Sequence, residues 1–198
     1  MTVVIDPGHG GEDGGAVSPG GVAESHINLT ISMQLRDLLC FAGQQTVMTR
    51  DADAMICNEG LKTIRERKAS DIRNRVSIVE RTENAVLLSI HQNSLPSSTV
   101  THGAQAFWNR QEGAEALADF IQDALNTAVN TGNEKHTKQI PSTIYLMNHV
   151  TVPAVLVECG FLSNPQETKC LQTETYQRGL SVAIAAGFLR GISEGEFS

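Results

Sequence analysis

The sequence predicts an α/β fold: a mostly parallel, twisted sheet with helices on both faces. Three observations predict it. Strand-like apolar runs alternate with amphipathic helical stretches along the whole chain, the pattern of successive β and α units. Two runs, Ala85 to Ile90 and Pro153 to Glu158, are almost continuously apolar, as strands buried on both faces are. No repeat, low-complexity stretch or linker divides the 198 residues, so 1–198 is expected to be one domain.

Each element has its own local reason. Residues 2–6 are a β-branched run ended by Pro7-Gly8, and read as the first strand. A glycine-rich loop fills 8–21. Ser25 is the expected N-cap of a helix over about 26–42, where Ile27, Ile31, Leu35, Leu38 and Leu39 recur at helical spacing. Residues 46–49 read as a strand and 51–61 as loop. A polar helix follows over about 62–83, with Ile64, Ile72, Val76 and Val79 inward. Strands are expected at 85–90 and 104–108, then a helix at 112–129 with Leu117, Phe120, Ile121 and Leu125 on one face. Residues 131–142 read as loop, 143–146 as a short strand and 153–158 as a strongly apolar one. A last helix, 173–192, carries Tyr176, Leu180, Ile184 and Phe188 inward.

Fifteen Lys and Arg against 22 Asp and Glu leave a formal charge of -7. No basic cluster exists that could form a nucleic-acid face. The cations between Lys62 and Arg81 alternate with Glu66, Asp71 and Glu80, which reads as a solvated helix face. Cys40, Cys57, Cys159 and Cys170 lack the short spacing of a zinc knuckle or redox motif; their scatter neither requires nor excludes a disulfide, and they are expected to be mostly free, partly buried thiols. No apolar run approaches the ~20 residues a spanning helix needs. No signal peptide precedes Val3, so any export signal or anchor is expected to lie outside these residues.

The chemistry gathers at strand ends. His9 follows the first strand, His91 follows Val86 to Ile90, and Glu158 closes Val155-Leu156-Val157. Ligands of open α/β sheets bind in the crevice outside the carboxyl ends of parallel strands, so three parallel strands would bring these three side chains to one edge. A lone His after a strand is ordinarily a turn residue; three such groups at one edge are not. An acid ending an apolar strand must find a partner or shift its pKa. Two imidazoles and a carboxylate suit a catalytic zinc with one position left open. His9 and His91 supply two ligands, and Glu24, at the head of the first helix, is the choice for the third. Its ordinary role there would be to complement the helix dipole. Glu158 remains as general base beside a metal that acidifies water and polarises the scissile carbonyl.

Asn93 follows His91 by two residues and shares its direction along an extended chain, so it is a candidate substrate contact or a loop-shaping residue. His26, His102, His136 and His149 read as surface residues, His26 being the one nearest in sequence to Glu24. Cys159 should turn away from Glu158 into the core. The glycine loop matches neither dinucleotide nor Walker spacing, and no G-x-S-x-G elbow exists.

These residues carry a resemblance. Asp6-Pro7-Gly8-His9-Gly10-Gly11, Glu24 with Asn28-Leu29, Thr49-Arg50, Ser89-Ile90-His91-Gln92-Asn93 and Val157-Glu158-Cys159-Gly160-Phe161-Leu162-Ser163-Asn164 follow the order of the motif series of the zinc-dependent N-acetylmuramoyl-L-alanine amidases, over almost the whole chain. The chain resembles the compact sporulation and germination subgroup of that family. The resemblance implies a six-stranded sheet and zinc held by His9, Glu24 and His91, with Glu158 as catalytic base. It implies cleavage of the amide between N-acetylmuramic acid and L-alanine of the peptidoglycan stem peptide, in the cell wall outside the cytoplasm. The long helix that covers the site in some division amidases has no counterpart here, so an open site is expected, with an accessory activator protein as a partner and the chain itself a monomer. Two other functions fit the same residues: a zinc peptidase, which the masses of the products would separate, and a wall-binding module without catalysis.

Overall fold

The computed structural model describes residues 1–194. Six strands form one sheet in the order β2-β1-β3-β6-β4-β5. They are β1 (Thr2–Pro7), β2 (Gln45–Met48), β3 (Ala85–Asn93), β4 (Gln105–Trp108), β5 (Lys138–Gln139) and β6 (Ala154–Phe161). All neighbours run parallel except β4 and β6, which are antiparallel. The α/β class, the mostly parallel pairing and the six strands are as expected.

Helices α1 (Glu24–Phe41), α3 (Ala114–Ala128) and α6 (Glu174–Ser193) cover one face; α2 (Ile64–Arg81) and the short α4 (Tyr145–His149) cover the other. The chain leaves β1 toward β2 through α1 and returns to the opposite side of β1 through α2. Strand order therefore reverses between β1 and β3, the place where an open α/β sheet leaves a crevice outside its strand ends. The periodicity of the helices is met in the core: Ile27, Ile31, Leu35 and Leu39 of α1, Leu117, Ile121 and Leu125 of α3, and Leu180, Ile184 and Phe188 of α6 are all buried.

Four local readings are corrected. Residues 143–146 are not a strand. The edge strand is the two-residue β5, and Tyr145 begins α4, because Leu146 and Met147 bury against α2 and a helical turn presents both together. The first helix starts at Glu24 with Ala23 at its N-cap, and Ser25 lies inside it. The helix α5 (Pro165–Leu171) was not expected, although Asn164 caps two of its amides and Pro165 opens it. The face of α2 was misjudged: Ile64 is 43% exposed, while Arg75 is buried. An apolar-only reading of the wheel cannot find a buried arginine.

The helices α3 and α6 cross at Gly187, where a Cβ would lie 2.5 Å from the Cα of Ile121. Gly187→Ala is expected to force the helices apart and cost about 1–3 kcal/mol. A lower urea midpoint at unchanged slope checks it; an unchanged midpoint would mean the crossing is loose.

Candidate metal centre

The site begins with a strained loop. His9, directly after β1, has φ 61°, a left-handed conformation that costs a residue with a Cβ about 1–2 kcal/mol. Two buried arginines hold the chain there by its carbonyls. Arg50 donates to the carbonyls of Pro7 (2.9 Å), Gly8 (3.0 Å) and Ser25 (2.9 Å). Arg75 donates to those of Pro7 and His9, both at 2.7 Å. Arg75 also pairs with Asp6 at 2.7 Å and Asp71 at 2.6 Å. Thr49 and Ser89 donate to the two Asp6 oxygens at 2.6 and 2.8 Å. Burial alone would raise the Asp6 carboxyl; Arg75, Thr49, Ser89 and the nearby His91 outweigh it and hold it below its usual range.

On this base three donors meet. One ligand atom each from His9, Glu24 and His91 lies within 4.8 Å of the others. Glu24 is the hinge of the group. Its Oε1 is 2.9 Å from Nδ1 of His91 and its Oε2 is 3.5 Å from Nε2 of His9. The amides of Gln92 and Ala16 and the Asn28 side chain donate to the same carboxylate at 3.0, 2.8 and 3.1 Å. Burial pushes Glu24 up, but His91, His9 and the Gln92 amide outweigh that and bring it down to about 2. Burial would lower the His91 imidazole; Glu24 foremost, then Glu158 and Asp6, raise it instead. Glu24 is thus an anion at any ordinary pH, as a metal ligand must be. Glycines make the room: a Cβ on Gly8 would lie 2.2 Å from the His91 ring, and one on Gly15 2.5 Å from Glu24 Oε2.

Asp13 is the residue sequence reasoning missed. Its Oδ2 is 2.9 Å from Nδ1 of His9, leaving Nε2 to face Glu24. A carboxylate on the far nitrogen is the usual partner of a metal-binding imidazole, fixing its orientation and raising its basicity. The signal was present, an acid four residues after His9 in a loop that turns back on itself. Lys68 of α2 donates to the other Asp13 oxygen at 2.7 Å.

Glu158 lies beside this group. It is the register partner of His91 across β3 and β6, so the two side chains share one face of the sheet. Its Oε2 is buried and has no hydrogen-bond partner within the protein. Burial raises its carboxyl, His91 opposes and Glu24 reinforces, and the result is pushed up to about 7. Cys159 turns to the opposite face and is buried in the main core. Asn93 ends β3 beyond an irregularity in its pairing with β6; its carbonyl accepts from the Leu162 amide at 2.8 Å. His26, His102, His136 and His149 are exposed and lie outside the donor cluster, with His26 paired to Asp53 at 2.9 Å. The thiols are free, though Cys40 and Cys170 are exposed rather than part-buried.

The donor set passes a chemical test for zinc. Two imidazoles and one carboxylate are a known catalytic combination, the three donors already converge, and an unsatisfied carboxylate oxygen waits beside them. A cavity of about 370 Å³ opens next to His9 and His91, between α2 and residues 143–147.

Comparison with known proteins identifies the family. The family described as N-acetylmuramoyl-L-alanine amidase matches residues 3–190. The germination-specific N-acetylmuramoyl-L-alanine amidase of Bacillus subtilis is 39% identical over 193 residues, covering 97% of this chain and 80% of that protein. The CwlD amidase of Clostridioides difficile, solved in complex with the GerS lipoprotein, superposes with a TM-score of 0.93 at 34% identity over 98% of both chains. The amidase AmiC2 of Nostoc punctiforme gives 0.80 at 30% identity, over 98% and 97%.

Proposed function

The chain belongs to the N-acetylmuramoyl-L-alanine amidase family, and from that membership we infer a zinc hydrolase in which His9, Glu24 and His91 hold the metal and Glu158 moves the proton. As an amidase of this family it hydrolyses the bond between N-acetylmuramic acid and the L-alanine of the stem peptide. One observation carries the mechanistic reading: three convergent donors stand next to a buried carboxylate oxygen that has no partner.

Zinc at these residues supplies a Lewis acid that lowers the pKa of water and polarises the scissile carbonyl. The protein does the rest. Asp13 orients His9, and the Gln92 and Ala16 amides orient Glu24. Glu158 takes the proton of the attacking water on its free oxygen and returns it to the alanine nitrogen as the C–N bond breaks. The products are a lactyl carboxylate and a free peptide amine. In the metal-free chain burial pushes this carboxyl up to about 7, and a dication held beside it would favour the ionised form that accepts the proton. Asn93, at the end of the strand that carries His91, is assigned a substrate contact. The whole chain, 1–198, acts as one catalytic unit and as a monomer.

The setting follows from the substrate: peptidoglycan lies outside the cytoplasm, in the wall. Among the described residues no helix is long and apolar enough to cross a membrane. An accessory protein is part of this reading, since the similar Clostridioides difficile amidase is found in complex with a lipoprotein.

Digestion of purified peptidoglycan tests the reading. Zinc-loaded protein is expected to release intact stem peptides beginning with L-alanine, and a chelator to stop the release. Masses from cuts between amino acids would indicate a peptidase instead. Binding to the wall without any product, by protein verified to hold zinc, would indicate a binding module or a missing activator.

A further inference from the structure

We propose that Lys68 is a specificity residue of the cleft, binding a carboxylate on the peptide that the reaction releases. The inference rests on the amidase reading above. The wall of the cleft is largely apolar, with Ile72 on one side and Ile144, Tyr145 and Met147 on the other. A charged ligand group entering it needs a cation. Two cations line it, Arg75 and Lys68. The Arg75 side chain is 2% exposed, and four of its five N–H donors are spent on Asp6, Asp71 and the Pro7 and His9 carbonyls.

Lys68 is differently placed. Lys68, Asp71, Ile72 and Arg75 stand at helical spacing on the face of α2 that lines the cleft, and Lys68 is their outermost member, 50% exposed. Its one hydrogen bond is to Asp13. An ammonium group has three protons, so two remain for a ligand. Every other charged group on this side is engaged: Asp71 with Arg75 and the Ile56 amide, Asp6 with Arg75, Thr49 and Ser89, and Asp13 with His9. Lys68 is itself paired with Asp13 at 2.7 Å, and it is the cation at the mouth of the cleft that keeps protons free for an acidic ligand.

The position also sets which carboxylate is read. Lys68 and His9 bind opposite oxygens of one carboxylate, that of Asp13. A group held by Lys68 is therefore close to the metal ligands, within a residue or so of the amide being cut. The ligand class is a muropeptide whose residue after L-alanine carries a free carboxylate, as opposed to the carboxamide.

The test compares zinc-loaded wild type, Lys68→Met and Lys68→Arg on two muropeptides differing only in that carboxylate or carboxamide. The ratio of kcat/KM, acid over amide, is expected to fall about tenfold in Lys68→Met, through KM, and to recover in Lys68→Arg. Loss of the Asp13 contact acts on both substrates alike and cancels from the ratio. An unchanged ratio in Lys68→Met overturns this proposal alone. Cleavage of neither substrate by the wild type, with zinc verified, overturns the amidase reading and this proposal with it.

Discussion

Glu158→Gln is expected to lower kcat/KM on muropeptides by about 10²–10⁴-fold while zinc content stays that of the wild type. Glutamine keeps the shape of the side chain and cannot accept the proton. Glu158 is no member of the donor cluster, so the metal should remain. Turnover within a few fold of wild type would remove Glu158 from its role, and loss of zinc would make it a ligand. The same variant has a second signature in the zinc-free protein. The carboxyl stands at about 7 in the fold against an ordinary 4.5. Between those values the unfolded chain has released a proton that the folded chain keeps, so stability falls as pH rises from 4.5 to 7 and stays reduced above. Glutamine carries no such penalty. The zinc-free variant should be more stable than zinc-free wild type above pH 7, by up to about 3 kcal/mol, and equal to it near pH 4. Denaturant titrations at the two pH values measure this. The function of the site is here in direct conflict with the stability of the strand end that carries it.

Arg75→Met is expected to be the most damaging substitution to the fold, at about 3–5 kcal/mol, or roughly 10 °C in Tm. The methionine fills space and supplies no donors. It leaves the Asp6 and Asp71 carboxylates and the Pro7 and His9 carbonyls short of their partner in a buried place. The sign of the pH dependence distinguishes this from simple loss of packing. In the wild type the Asp6 carboxyl lies below its ordinary 3.8, so its contribution is present above that value and is lost as pH falls through the lower one. In the variant the same carboxylate is a buried charge without its cation, and protonation relieves it. The deficit relative to wild type should therefore be largest at neutral pH and shrink toward pH 4. A deficit under 1 kcal/mol that does not vary with pH would show that the arginine is not needed to hold the loop.

The two substitutions divide what was readable in advance from what was not. His9, His91 and Glu158 could be named before any coordinates, because strand-ending polar residues are rare in apolar runs and parallel strands carry them to one edge, and Glu24 as the carboxylate near His9 at the head of the first helix. Arg75 could not. It lies in a helix rich in charged residues, Asp71 and Arg73 among them, and a charged helix face is ordinarily solvated. Only the approach of α2 to the β1 turn makes it the residue that satisfies two acids and two carbonyls. Asp13 stands between these cases: its spacing from His9 was visible, and its direction depended on the turn.

The sequence by itself determined the α/β class, the apolar faces of α1, α3 and α6 and the residue types of the candidate metal centre. These are properties of period, composition and local order, and need no partner to be read. Tertiary structure decided that 143–146 would turn as a helix against α2, that β4 would run antiparallel beside β6, and that an arginine rather than a hydrophobe would fill the space under the His9 loop. The physical reason is common to all three. A short segment or a single charged side chain has several local conformations of nearly equal free energy, and contacts from distant parts of the chain choose among them. Burial against α2, the open edge of β6 and the two acids and two carbonyls around Arg75 are such contacts, and none of them is in place until the sheet is assembled.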